Sequence, residues 1–197
     1  MATPSLNAIL EAMLFVSDAP VTVDRLSELL PEYERATIRI AMQELRDDYE
    51  TRHAGIHLVE VAGGWQMRTY PDLMSFLARM VKGKPARFSQ SALETLAIVA
   101  YRQPITRQEI EYLRGVDVGA VLKTLLERRL IRIMGKKDIP GRPIIYGTTR
   151  EFLEVFNLKD LKGLPTLREI QSLDELPLFE VQEELPLQEE PREEGQG

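Results

Sequence analysis

The chain has 197 residues, of which 25 are Lys or Arg, 31 are Asp or Glu, two are His and none is Cys, for a formal net charge of −6. Without cysteine there is no disulfide framework, thiolate zinc site or cysteine nucleophile, which points to a reducing compartment. Arg25 is the first basic residue and no apolar run approaches the ~20 residues that span a bilayer. Neither a secretory signal nor a membrane anchor is expected, and the protein reads as soluble and cytoplasmic.

Ser5 reads as the N-cap of a first helix, because Leu6, Ile9, Leu10, Met13 and Leu14 recur at three- and four-residue spacing behind it. Asp18-Ala19-Pro20 ends that helix. Pro20-Val21-Thr22 is extended, and a second helix over about 23–30 carries Leu26, Leu29 and Leu30. Pro31 separates it from a third, over about 33–51, with Ile38, Met42, Leu45 and Tyr49 on one side. From Ile56 to Tyr70 two apolar runs flank Gly63-Gly64, a hairpin signal because glycine accepts the positive φ of tight turns. A short helix over about 71–81 carries Leu73, Met74, Leu77 and Met80. Helix, short strand, helix, helix and hairpin in that order describe a winged helix.

After the polar breaker Lys82-Gly83-Lys84-Pro85 the pattern starts again. Ser91 with Glu94 reads as a capping box for an apolar helix over 93–101, and Thr106 with Glu109 as a second, after the extended Pro104-Ile105-Thr106. Helices follow over 107–114 and about 118–130, then strands over 131–134 and 144–147 around a loop at 135–143. A last helix from Thr149 holds Phe152, Leu153 and Phe156. Shifting the first half by 84 positions places Pro20 on Pro104, Thr22 on Thr106, Leu14 on Ile98, Phe15 on Val99, Leu26 on Ile110 and Ile38 on Leu122. Tandem copies of one unit follow from such a register. The expected fold is mainly α with small β hairpins (α+β): two tandem winged-helix domains at 1–81 and 89–167, a linker at 82–88, and an acidic tail at 168–197.

The net charge is a sum of unlike parts. Residues 1–80 carry 7 basic and 12 acidic side chains (net −5), residues 81–170 carry 17 and 10 (net +7), and residues 171–197 carry 1 and 9 (net −8). The last part is rich in Glu and Pro and is expected to be disordered. It repeats Glu175-Leu176-Pro177-Leu178 as Glu184-Leu185-Pro186-Leu187. The repeat reads as a solubilising tail ahead of a duplicated docking motif.

A winged helix reads bases with Arg, Lys, Asn, Gln or Ser at the start of its third helix. Here those positions are Asp117, Val118, Gly119 and Ala120, while the first copy exposes Glu34, Glu44, Asp47 and Asp48. Neither suits base reading. The second wing carries Lys136, Lys137 and Arg142 around Pro140-Gly141, candidate phosphate contacts that carry no sequence information. His53 and His57 lack a third ligand, no phosphate-cradling Gly-x-x-x-x-Gly-Lys-Ser/Thr run exists, and no catalytic, metal or cofactor cluster is found. What remains is protein-binding surface. Tyr101, Arg102 and Gln103 end an apolar helix with side chains favoured at interfaces, and Phe152 adds apolar surface to a small unit.

Two runs resemble the segregation and condensation protein B (ScpB) family. They are Ala92-Leu93-Glu94-Thr95-Leu96-Ala97-Ile98-Val99-Ala100-Tyr101-Arg102-Gln103-Pro104-Ile105-Thr106 and Gly141-Arg142-Pro143-Ile144-Ile145-Tyr146-Gly147-Thr148-Thr149, the second followed by Phe152-Leu153. The resemblance covers about residues 5–167. It implies a non-enzymatic subunit of the bacterial SMC complex, acting in chromosome condensation and segregation near the nucleoid. It also implies a homodimer formed largely through the N-terminal domain, and binding to the kleisin ScpA, which reaches SMC. The expected kleisin contacts are Tyr101, Arg102, Gln103 and Phe152, with DNA bound weakly or indirectly. The alternative from another class is a winged-helix DNA-binding transcriptional regulator.

Overall fold

Ser5 lies in extended backbone, and its Oγ accepts a hydrogen bond from the Ala8 amide at 3.3 Å, which starts α1 (Leu6–Val16) as expected. Thr22 caps α2 (Val23–Leu29) in the same way, through the Arg25 amide at 3.1 Å. Pro31 follows, and α3 (Arg35–Thr51) buries Ile38, Ala41, Met42, Leu45 and Tyr49 at helical spacing. The chain is seen here as a computed structural model that describes residues 4–80, 88–166 and 169. Residues 82–87 of the expected linker and the repeated Glu-Leu-Pro-Leu segments lie outside the described residues.

Strands β1 (Ile56–Val61) and β2 (Gly64–Thr69) form the first antiparallel hairpin. Its turn is Ala62-Gly63, with φ of 49° and 72°, one residue earlier than the glycine pair suggests. Gly64 has another duty. A Cβ there would lie 2.9 Å from the Val21 carbonyl carbon and 3.0 Å from that of Pro20. This closeness lets Val21 and Trp65 exchange two backbone hydrogen bonds, at 2.9 and 2.8 Å, and completes the sheet. The helix expected over 71–81 shrinks to a 3-10 turn (Pro71–Leu73) and one turn of helix, α4 (Met74–Leu77). No side chain caps it, and Met74, Phe76 and Met80 are exposed, so its apolar residues find no core to hold a longer helix.

In the second half, α5 (Gln90–Arg102) begins at Ser89, whose Oγ accepts from the Ala92 amide at 3.2 Å. The expected Ser91–Glu94 box is replaced by contacts to Arg114. Glu94 pairs with it at 2.9 Å, and it donates to the Ser91 carbonyl at 2.8 Å. Then come β3 (Ile105–Thr106), α6 (Arg107–Arg114), α7 (Gly119–Glu127), β4 (Ile131–Lys136), β5 (Ile144–Thr148) and α8 (Arg150–Val155). The antiparallel sheet has the order β3-β5-β4, with a bulge between Ile133 and Gly135.

The shift of 84 holds at the N-caps, where Thr22 matches Thr106, and at Leu26 and Ile110, both fully buried. Along the first helices it fails. Phe15 is 76 % exposed, whereas Val99 is fully buried. The buried pair Leu10 and Leu14 matches Leu96 and Ala100 instead, because α5 runs on to Arg102 while α1 stops at Val16 and leaves a longer loop.

The described residues up to Leu164 form one compact unit. Within it, buried side chains gather in two cores, one around Leu10, Leu26, Met42 and Trp65, the other around Leu96, Ile110, Leu125 and Phe152. The turn of the first hairpin is held by the segment after α8. The amides of Ala62 and Gly63 donate to the carbonyls of Leu158 and Lys159 at 2.8 and 3.0 Å, and Lys159 pairs with Glu60 at 2.7 Å.

Candidate functional site

The second half carries a groove of about 480 Å³ between the end of α5 and α6, lined by Arg102, Pro104, Ile105, Gln108, Glu109, Tyr112 and Leu113. Its geometry begins with a capping box that the sequence announces. Thr106 Oγ1 accepts from the Glu109 amide at 3.3 Å, and the Glu109 carboxylate accepts from the Thr106 amide at 2.8 Å. Gly115, at φ 70°, ends α6 after eight residues. Arg114 bolts that end to α5, donating to the Ser91 carbonyl and to Thr95 Oγ1, each at 2.8 Å.

Only Ile110 of α6 is buried. A helix turns about 100° per residue, so Tyr112 stands on the opposite side, 88 % exposed, and Leu113 is 51 % exposed. The corresponding corner of the first half differs in charge and in its aromatic residue. In the register of 84 that holds along the second helices, Gln108 and Tyr112 fall on Asp24 and Glu28 and Leu113 on Leu29, while Arg102 at the end of α5 matches Val16.

Two charges border the groove, and they differ. Glu109 accepts from Lys137 Nζ at 2.7 Å and from the Thr106 amide and hydroxyl, which together lower its pKa from 4.5 to about 2. It is a committed carboxylate with its partners already in place. Arg102 makes no hydrogen bond or ion pair with the described residues. An anion brought into the groove finds a cation with no competing partner among the described residues.

The residues singled out by sequence separate into three groups. Arg102 lines the groove, and Tyr101 beside it is 43 % exposed. Gln103 points inward, where its amide donates to the Ala100 carbonyl and Thr148 Oγ1 and accepts from the Thr148 amide at 2.8 Å, tying α5 to β5. Phe152 is 3 % exposed and belongs to the core beneath, stacked on Phe156 at 4.9 Å. Among the wing cations, Lys137 is engaged by Glu109, while Lys136 and Arg142 are exposed. Tyr112, Leu113 and Gln108 escaped the sequence reading. A helical wheel drawn on Ile110 would have found Tyr112, an aromatic residue on the face away from the core.

The third helix of the second half, α7, offers little to a base edge. Val118 is buried, and Asp117 pairs with Arg107, an arrangement that holds the Asp117 carboxyl below its usual range, first through the Gly119 amide and then through that guanidinium. His57 stacks on Tyr70 with ring centres 4.1 Å apart, and its Nδ1 is buried without a partner. Burial, then the charge of Arg68, lowers its pKa below 6.5. Among the described residues no group of three or more His, Cys, Asp or Glu is placed to hold a metal ion. None of their helices is long and apolar enough to cross a membrane.

A family model for the segregation and condensation complex subunit ScpB matches residues 8–167. The segregation and condensation protein B of Syntrophotalea carbinolica is 49 % identical over 173 residues, covering 88 % of this chain and 87 % of that protein. The crystal structure of ScpB from Mycobacterium tuberculosis is 36 % identical and covers 80 % of this chain and 99 % of that one, with a TM-score of 0.38. A crystal structure of a dimer of the ScpB N-terminal domain complexed with an ScpA peptide is 28 % identical, covering 38 % of this chain and 93 % of that one, with a TM-score of 0.36.

Proposed function

The chain belongs to the segregation and condensation protein B family, and from that premise we propose that it is a non-catalytic subunit of the bacterial SMC–kleisin complex. It binds the kleisin ScpA, reaches SMC through it, and acts in chromosome condensation and segregation in the cytoplasm, at the nucleoid. The observation that carries the reading is the groove of the second half, with Tyr112 and Leu113 exposed beside a cation that has no partner among the described residues. Aromatic and Arg anchors dominate protein interfaces. A kleisin segment docks there, with Tyr101 and Arg102 at its edge, while Gln103 and Phe152 keep the walls in place.

Two winged-helix domains suit this role, since the separate cores let each half present its own surface. Homodimerisation through the first half is supported by Phe15 and Val16, 76 % and 79 % exposed at the end of α1. DNA is met weakly or indirectly, because α7 begins at Gly119-Ala120 without a base-reading side chain and Arg35, which begins α3, pairs with Asp24 at 2.7 Å. Co-expression with the kleisin, followed by purification with and without nuclease, tests the reading. A stable complex that survives nuclease is expected. Sequence-dependent binding of duplex DNA by the chain alone, with no kleisin complex, would favour the transcriptional regulator.

A further inference from the structure

One sequence feature has no part in this function, the repeat Glu-Leu-Pro-Leu at residues 175–178 and 184–187. Its chemistry is the complement of the groove. Each copy places a carboxylate next to an aliphatic–proline–aliphatic run, and the groove sets Arg102 beside Pro104, Ile105, Tyr112 and Leu113. Arg102 makes no ion pair with the described residues, and the groove's own carboxylate, Glu109, is neutralised by Lys137 at 2.7 Å. The central proline restricts the backbone before binding and lowers the entropy lost on docking.

Reach also fits. Leu164 packs against the core of the second half, the half that carries the groove. The 12 residues from Leu164 to Leu176 span up to ~40 Å, more than the ~30 Å width of a small domain. The second copy lies nine residues further on, so either can serve.

We propose that the two Glu-Leu-Pro-Leu segments of this chain are internal ligands of the groove and compete there with the kleisin. The competition rests on the kleisin reading given above; the docking does not. A tethered segment acts at an effective concentration of ~1 mM, so an intrinsic Kd of ~0.1 mM lowers the apparent kleisin affinity about tenfold. Two copies raise the local concentration without requiring a tighter motif. A kleisin segment that binds well displaces them; a weaker apolar segment does not.

The test uses the full chain and a variant carrying Leu176→Ser, Leu178→Ser, Leu185→Ser and Leu187→Ser. The amide NMR signals of Gln108, Tyr112 and Leu113 are expected to differ between the two proteins. A synthetic peptide of residues 175–187 added to the variant returns them toward the wild-type positions, and Arg102→Glu abolishes the peptide's effect. Kleisin affinity of the variant rises about tenfold. Identical groove signals in both proteins, with no saturating response to the peptide up to about 1 mM, overturn the proposal. Signals that move while kleisin affinity stays the same uphold the internal ligand and overturn its competition, and with it the kleisin reading of the groove.

Discussion

Tyr112→Ala isolates the groove from the fold. Tyr112 is 88 % exposed on α6, whose only buried residue is Ile110, so the free protein loses almost no packing. Alanine is also the better helix former, and the unfolding free energy should stay within ~0.5 kcal/mol of wild type. Binding is another matter. An aromatic side chain offers ~150–250 Å². If ~100 Å² of that becomes newly buried apolar area, at ~25 cal/mol per Å² it contributes ~2.5 kcal/mol. Ordering the side chain costs about 1 kcal/mol. The remaining ~1.5 kcal/mol corresponds to about tenfold in Kd. Titration calorimetry against the purified kleisin, paired with a thermal melt of each variant, reads both quantities. A Kd within twofold of wild type, at unchanged Tm, would refute the assignment of this face. Phe152→Ala makes the contrasting control. At 3 % exposure it should cost ~3–5 kcal/mol of stability. Its effect on binding should then follow the loss of folded protein.

Gly64→Val forces a side chain against the carbonyl carbons of Pro20 and Val21, which are backbone and cannot step aside; the Val21–Trp65 hydrogen bonds should break, with a loss of ~2–4 kcal/mol in urea unfolding. Glu109→Gln removes the Lys137 pair and weakens the cap of α6, and because both side chains are nearly half exposed the cost at neutral pH should be only ~0.5–1 kcal/mol. The native pKa of Glu109 is depressed, so its contribution is complete above 4.5 and fades as pH falls toward about 2; denaturant midpoints of wild type and variant should converge across that window. If the first half forms the proposed homodimer, Phe15→Ser, at a 76 % exposed position, should shift it toward monomer in light scattering at micromolar concentration, with any fall in Tm vanishing as protein concentration drops below the dimer Kd.

Local signals were legible where they depend on neighbours in sequence. The caps at Ser5 and Thr106, the helix starts after Thr22 and Thr149 and the helical spacing of Ile38, Met42, Leu45 and Tyr49 all read directly from the chain. Each is settled by one turn of backbone and a side chain a few residues away. Signals that depend on distant packing misled. Ser91 looked like a cap, but Arg114, 23 residues further on, claims its carbonyl. The register of 84 looked continuous, but a loop-length difference before the second helix offsets the buried faces of α1 and α5 by two residues. The helix expected over 71–81 had apolar spacing and no partner surface, and spacing alone does not hold a helix of that length.

The candidate site divides along the same line. Composition, the missing cysteines and the lack of a catalytic cluster in the sequence point to binding surfaces, and Arg102 stands out as a guanidinium at a helix end. Whether a chosen side chain faces out is decided only by tertiary structure, because a helix has one inward face and the core selects which. Gln103 and Phe152 carry the right chemistry and turn inward, while Tyr112, on the face that Ile110 leaves to solvent, and the half-exposed Leu113 line the groove. The net charge of −6 likewise separates by segment from the sequence itself. That Arg102 has no partner among the described residues, while Lys137 is paired with Glu109, follows from distances between residues far apart in the chain.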